Sequence, residues 1–136
     1  MNMRTCLLLA LAALPCWADS PGTAAIRGKL VREAGQPALE IAGGKRVTLD
    51  GDADTRGVLN DKRLAGVEME LRGRLNADGR FLVDPIHTRA VHVHKNGKKL
   101  FVTYWCDVCA IRTYTPGICW CCQEYTELDL REKPTE

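Results

Sequence analysis

Apolar and polar residues alternate through the middle of this chain. Val67, Met69, Leu71, Gly73 and Leu75 point one way, and Glu68, Glu70, Arg72 and Arg74 the other. A period of two marks a strand with one buried face. Asn76-Ala77-Asp78-Gly79 makes a turn, and Phe81-Leu82-Val83 returns from it. Upstream, Ile26, Gly28 and Leu30 alternate with Arg27 and Lys29. Leu39 and Ile41, then Val47 and Leu49, give two shorter strands joined at Gly43-Gly44. One short helix follows: Asp52 or Asp54 caps it, Leu59 and Leu64 face the core, and Gly66 ends it.

Three strands, a helix and two strands is the element order of an OB-fold, a five-stranded Greek-key barrel. The segments Val47-Thr-Leu-Asp-Gly-Asp, Leu64-Ala-Gly and Val67-Glu-Met-Glu-Leu-Arg-Gly-Arg also resemble small exported bacterial OB-fold proteins. In those a Gly-Asp pair precedes the helix and a G-x-x-V-x-V-x-G strand follows it. The resemblance spans residues 24 to 94 and implies the fold alone. The expected fold class is all-β with one short helix, an OB-like barrel carrying a C-terminal cysteine-rich knuckle.

Asn96-Gly97 lies between two strand-like runs and favours a two-residue type I′ hairpin. A tight turn pairs Lys95 with Lys98 and His92 with Phe101. If the register continues, it sets Thr88 opposite Trp105 and His87 opposite Cys106. His92 and His94 then share a face about 16 Å from Cys106, at about 3.3 Å per residue. They read as a surface pair, with a separate metal site as the alternative. His87 is a candidate fifth ligand, or a residue orienting one. Arg89, His92, His94, Lys95, Lys98 and Lys99 make the hairpin basic. Few aromatic residues accompany them, so nucleic acid is not an expected partner.

The ends change the picture more than composition does. Arg4, the apolar run Leu7 to Leu14 and Ala18 read as an export signal, residues 1–18, cut after Ala18. Export implies a periplasmic or secreted protein in an oxidising compartment. Removing 18 of the 136 residues leaves 118, one domain's worth. Losing Arg4 from 19 basic residues leaves 18 against 17 acidic, too even to pull toward polyanions. No second apolar span follows. The expected layout is a barrel over 19–105, a cysteine knuckle over 106–126, and a flexible charged tail over 127–136.

The chemistry sits in the knuckle. Cys106-x₂-Cys109 and Cys119-x₂-Cys122 are two C-x₂-C turns nine residues apart, with Cys121 as an additional thiol. Two such turns can set four thiolates around one ion, and Pro116-Gly117 supplies a bend before the second. The pair resembles zinc-ribbon and rubredoxin-type knuckles over residues 106 to 122. That resemblance implies a metal site of Cys106, Cys109, Cys119 and Cys122, with Cys121 and His87 as further candidates. Zinc is the expected ion and Cu(I) the soft alternative. The spacer is shorter than the fifteen to twenty residues usual in such sites, and no glycine follows the second cysteine of either turn.

Two rival readings use the same residues. Two disulfides and one free thiol suit the compartment and allow 15 connectivities. Trp105-Cys106-Asp107-Val108-Cys109 looks like the W-C-x-x-C of thioredoxins, but that motif opens a helix, and Ile111 to Pro116 reads as extended. Haem attachment through C-x-x-C-H fails because residue 110 is alanine. Tyr104, Trp105, Tyr114, Trp120 and Tyr125 are expected to cover the cysteines and dock the tail. No catalytic constellation stands out. The expectation is an exported binding or interaction module, not an enzyme, with an unidentified protein or small-molecule partner. The alternative is a thiol-disulfide or copper-handling protein.

Overall fold

In the computed structural model, which describes residues 22–134, the alternating segments become strands that close on themselves. The expected export signal lies outside the described residues. β1 (Ala24–Glu33), β2 (Gln36–Glu40), β3 (Arg46–Asp50), β4 (Glu68–Leu75) and β5 (Phe81–Val83) pair in the order β1-β2-β3-β5-β4. β4 returns to β1 antiparallel and closes the barrel. β3 and β5 run parallel, and the chain between them carries the helix. This is the OB topology expected from the element order.

Closure needs strands that serve two neighbours. β1 pairs β4 through Lys29 and then β2 from Lys29 onward. At that crossing a Cβ on Gly28 would lie 2.2 Å from the Glu40 carbonyl oxygen. Gly73 does the same on β4, where a Cβ would sit 2.1 Å from the Leu82 oxygen. Both positions therefore require glycine. Along β4, Met69 and Leu71 are fully buried as the alternation predicts, whereas Leu75 is exposed beyond the barrel rim.

The helical segment is split. α1 (Ala53–Leu59) is capped by Asp52, whose carboxylate accepts from Thr55 N–H at 2.8 Å. Asn60 ends it, and Asp61 then caps a separate 3₁₀ turn, Lys62–Leu64. Leu59 and Leu64 both reach the core, and Gly66 follows with φ +76°.

Beyond the barrel, α2 (His87–Ala90) is a single turn leading into β6 (Val91–Lys95). Asn96-Gly97 turns the chain into β7 (Lys98–Cys106), with φ of 54° and 74°. Lys95 pairs Lys98 and His92 pairs Phe101, as predicted. The register goes no further. Residues 87–90 coil into α2, so Thr88 and His87 do not pair with Trp105 and Cys106. β6 docks on β4, which extends the barrel sheet.

β7 carries β8 (Ile111–Thr113) along the edge it shares with β6, and β9 (Glu127–Arg131) along the other. The stretch from Glu127, expected to be a flexible tail, thus begins as a paired strand. Leu128 and Leu130 pack against the core while Glu127, Asp129 and Arg131 alternate with them. The core runs from Leu30, Leu39 and Leu49 through Met69 and Leu71 to Val93, Val102 and Tyr104.

Candidate metal centre

Both C-x₂-C turns are hairpin tips built alike. Cys106 ends β7 and pairs with Ile111 five residues on. Cys119 donates its N–H to the Glu124 carbonyl, also five residues on, at 2.7 Å, and the Ile118–Tyr125 bridge closes that second hairpin. Each first cysteine accepts backbone N–H groups from within its own turn. The Cys106 sulfur faces the N–H groups of Cys109 and Val108, and the Cys119 sulfur those of Cys122 and Cys121. The residue after each second cysteine is left-handed: Ala110 at φ 53° and Gln123 at φ 66°. The glycine missing from the sequence marks a real backbone demand, met here by alanine and glutamine.

The two tips face each other. The Sγ atoms of Cys106, Cys109, Cys119 and Cys122 all lie within 4.8 Å of one another. Cys106 and Cys119 are buried, while Cys109 and Cys122 are partly exposed. The Cys106 and Cys122 sulfurs approach to 3.5 Å. A tetrahedron with metal–sulfur bonds of about 2.3 Å has sulfurs about 3.8 Å apart, so the cluster is near the size that four-thiolate coordination needs. A disulfide needs about 2.05 Å, and all five described cysteines are free.

The thiols bias one another's ionisation. Cys119 is drawn down to about 7, first by the Cys122 and Cys121 N–H groups. Cys109 is pushed up, chiefly by the Cys121 thiol beside it and then by burial and by Cys122 and Cys119. The Cys106 thiol also ends above its ordinary value. The Cys109 N–H pulls it down, but burial and hydrogen bonds with the Cys122 and Cys119 thiols outweigh that pull. Four thiolates this close repel, and a divalent cation reverses the preference by stabilising all of them.

Cys121 is exposed and stands outside the group of four. His87 is not among these ligands. Its Nε2 donates to the Tyr114 carbonyl at 2.8 Å and ties α2 to the loop before the second tip. His92, expected on the surface, is 5% exposed, with its ring edge-on to Phe101 at 4.8 Å and its Nδ1 unpartnered. His94 bonds Glu70 at 2.9 Å. Neither joins a metal-competent cluster among the described residues. The basic hairpin is largely matched: Lys99 meets Glu70 at 2.8 Å, and Lys98 meets Glu132.

The aromatic residues divide. Tyr104 is fully buried, and Trp105 and Tyr114 are half-buried, but Trp120 and Tyr125 are 73% and 82% exposed. These two do not cover the cysteines. Trp120 lies inside its turn, where its side chain is displayed rather than packed. The loop is instead held by polar contacts. Thr126 donates its N–H and hydroxyl to the Gly117 carbonyl, and Arg63 donates to the Thr126 carbonyl at 2.9 Å.

Sequence reasoning passed over one further group. Trp105, Arg112 and Asp129 sit on one face of β8, β7 and β9. The Arg112 guanidinium lies 4.8 Å from the Trp105 ring and donates through Nη1 to Thr103 Oγ1 and Asp129 Oδ2, both at 2.7 Å. The alternation of β9 was its only signal. No helix among the described residues is long and apolar enough to cross a membrane. No protein-family model matches the chain, and comparisons with curated proteins and with solved structures find no match either.

Proposed function

We propose that this protein is an exported binding or interaction module whose C-terminal knuckle is organised by a structural zinc ion held by Cys106, Cys109, Cys119 and Cys122. One observation carries the reading: two hairpin tips of matching geometry bring four sulfurs within 4.8 Å of one another. Zinc suits a four-thiolate tetrahedron and has no redox chemistry of its own. A set of four protein ligands leaves no open position for a substrate, which favours a structural role over a catalytic one.

The local packing supports that role. Cys106 and Cys119 are buried, yet the barrel's apolar cluster does not include them. Residues 107 to 126 hold few buried apolar side chains, and Val108, Ile118, Trp120 and Tyr125 are all exposed. A segment with so little core needs another constraint, as small metal-stapled elements do. Ile118 and Tyr125, paired across the second hairpin and both exposed, support an interaction role, because adjacent exposed apolar groups mark contact surfaces.

The test is metal content and thiol count on protein purified from its native compartment without chelator. The expected result is one zinc per chain, with Cys121 reacting at once and four thiols released only by chelator under denaturing conditions. Copper would replace zinc in the reading. No metal, with a mass four hydrogens below that of the reduced chain, would refute it in favour of two disulfides.

A further inference from the structure

A cavity opens on the face shared by β7, β8 and β9. It is open, has a volume of about 1030 Å³, and is lined by Trp105, Arg112, Tyr114, Asp129, Arg131 and Glu132, with the chain through Pro134; the Glu132 carboxylate is paired with Lys98. Three of its lining side chains are held in place. The Trp105 indole N–H donates to Asp107 at 3.0 Å. Tyr114 is held by His87 at its carbonyl and donates its hydroxyl to the Pro134 carbonyl at 3.3 Å. Arg112 is clamped between Trp105, Thr103 and Asp129, and its side chain is only 16% exposed.

The clamp uses Nη1 alone. A guanidinium has five N–H donors in a planar fork. The Nε and Nη2 donors of Arg112 have no acceptor among the described residues, although this side chain lines the cavity. Arg131 adds a second cation to the lining and makes no ion pair among the described residues. A pre-oriented fork with free donors fits the paired oxygens of a carboxylate or phosphate. The rings of Trp105 and Tyr114 beside it offer flat apolar surface.

We infer that this cavity binds a small oxyanion, carboxylate or phosphate, carried on a flat apolar group, with Arg112 holding the oxygens and the Trp105 and Tyr114 rings meeting the apolar part. The structural alternative is that Arg112 merely staples β8 to β9 across β7. The two differ in what the remaining donors do: a staple leaves them to water, whereas the proposed site turns them on the oxygens of the ligand.

The experiment is a titration of the full metal-loaded protein by two-dimensional NMR, following the Arg112 Nε–H and Trp105 indole N–H signals. The probes are benzoate, phenyl phosphate and inorganic phosphate, with benzyl alcohol as the neutral control. Benzoate or phenyl phosphate is expected to shift both signals saturably at about 1 mM, and benzyl alcohol to shift neither. A response to benzoate alone identifies a carboxylate ligand, and one to phenyl phosphate alone a phosphate ligand. Arg112→Lys keeps the charge but loses the fork, and is expected to weaken binding about tenfold. Absence of a saturable shift with either aryl anion in the unaltered protein would overturn the inference. Equal affinity in the Arg112→Lys variant would overturn it too.

Discussion

Replacing Ala110 and Gln123 with glycine tests whether the two cysteine tips are built for a metal. Both residues are exposed and left-handed, at φ 53° and 66°. A side chain in that conformation costs about 1–2 kcal/mol. Glycine removes the strain but gives back about 0.5–1 kcal/mol of chain entropy. Neither side chain makes a contact that offsets the change. Gln123 has one weak bond, from Nε2 to the Trp120 carbonyl at 3.3 Å on the surface. The net gain is therefore about 0.5–1 kcal/mol per site, or about 1–2 kcal/mol for the pair.

Where that gain registers depends on what folds the tips. If the metal organises them, metal binding carries their folding energy, and the double variant should bind zinc about tenfold more tightly. Competition against a chromophoric chelator reads this directly. Ala34→Gly is the control. Ala34 is equally left-handed, at φ 51°, but lies in the β1–β2 turn away from the cysteines. It should stabilise the barrel and leave zinc affinity unchanged. Unchanged or weaker zinc binding in the double variant would refute the reasoning, since the left-handed tips would then not be the metal-competent shape.

Other expectations follow from the same geometry. Cys119→Ser should abolish metal binding, whereas Cys121→Ser should retain one ion per chain, both read by elemental analysis. Glu70 is held down to about 2, first by its hydrogen bond from Lys99 and then by that with His94. Its folded value lies below the ordinary 4.5, so its contacts add stability above about pH 4.5 that is lost as pH falls toward 2. Denaturant titrations of Glu70→Gln across that window should show a flatter pH dependence. The Tyr104 hydroxyl is buried beside Asp61 without closing a hydrogen bond of good geometry. Tyr104→Phe should therefore change stability by less than about 1 kcal/mol in thermal unfolding. Gly73→Ala should cost at least about 2 kcal/mol, because its Cβ would meet the Leu82 carbonyl oxygen at 2.1 Å.

The barrel was legible because each strand carries a solvent face. Where one face is polar, period two is unambiguous, and β1 through β5 fell where alternation put them. The hairpin register was legible as far as the Asn96-Gly97 turn governs it. It failed at His87 because a local helical turn competes with pairing there, and turn chemistry cannot see that far. β9 was missed although Glu127-Leu-Asp-Leu-Arg alternates as cleanly as β4. Its charges suggested a solvated tail, and its partner β7 lies more than twenty residues away in sequence. The four metal-site candidates rested on spacing, and the structure brings those sulfurs together. His87 was misplaced with the register. Trp120 and Tyr125 were misread because burial of an aromatic depends on which way a turn aims it, which composition does not encode.

The short spacer that sets this knuckle apart is explained by the fold around it. In a free-standing element, the residues between two C-x₂-C turns must supply their own return path. Here β7 and β9 belong to the sheet extending the barrel, and they fix where the segment starts and ends. Only Ala110 to Ile118 must connect the tips; His87 on Tyr114 and Pro116 beside Gly57 brace that path, and Arg63 holds Thr126 beyond the second tip. The barrel thus does part of the work that a longer ribbon does for itself. If the knuckle holds a metal, its binding is coupled to the sheet extension through β7. Removing the ion should loosen β8 and β9 first and leave β1 to β5 intact, an order that amide hydrogen exchange resolves strand by strand.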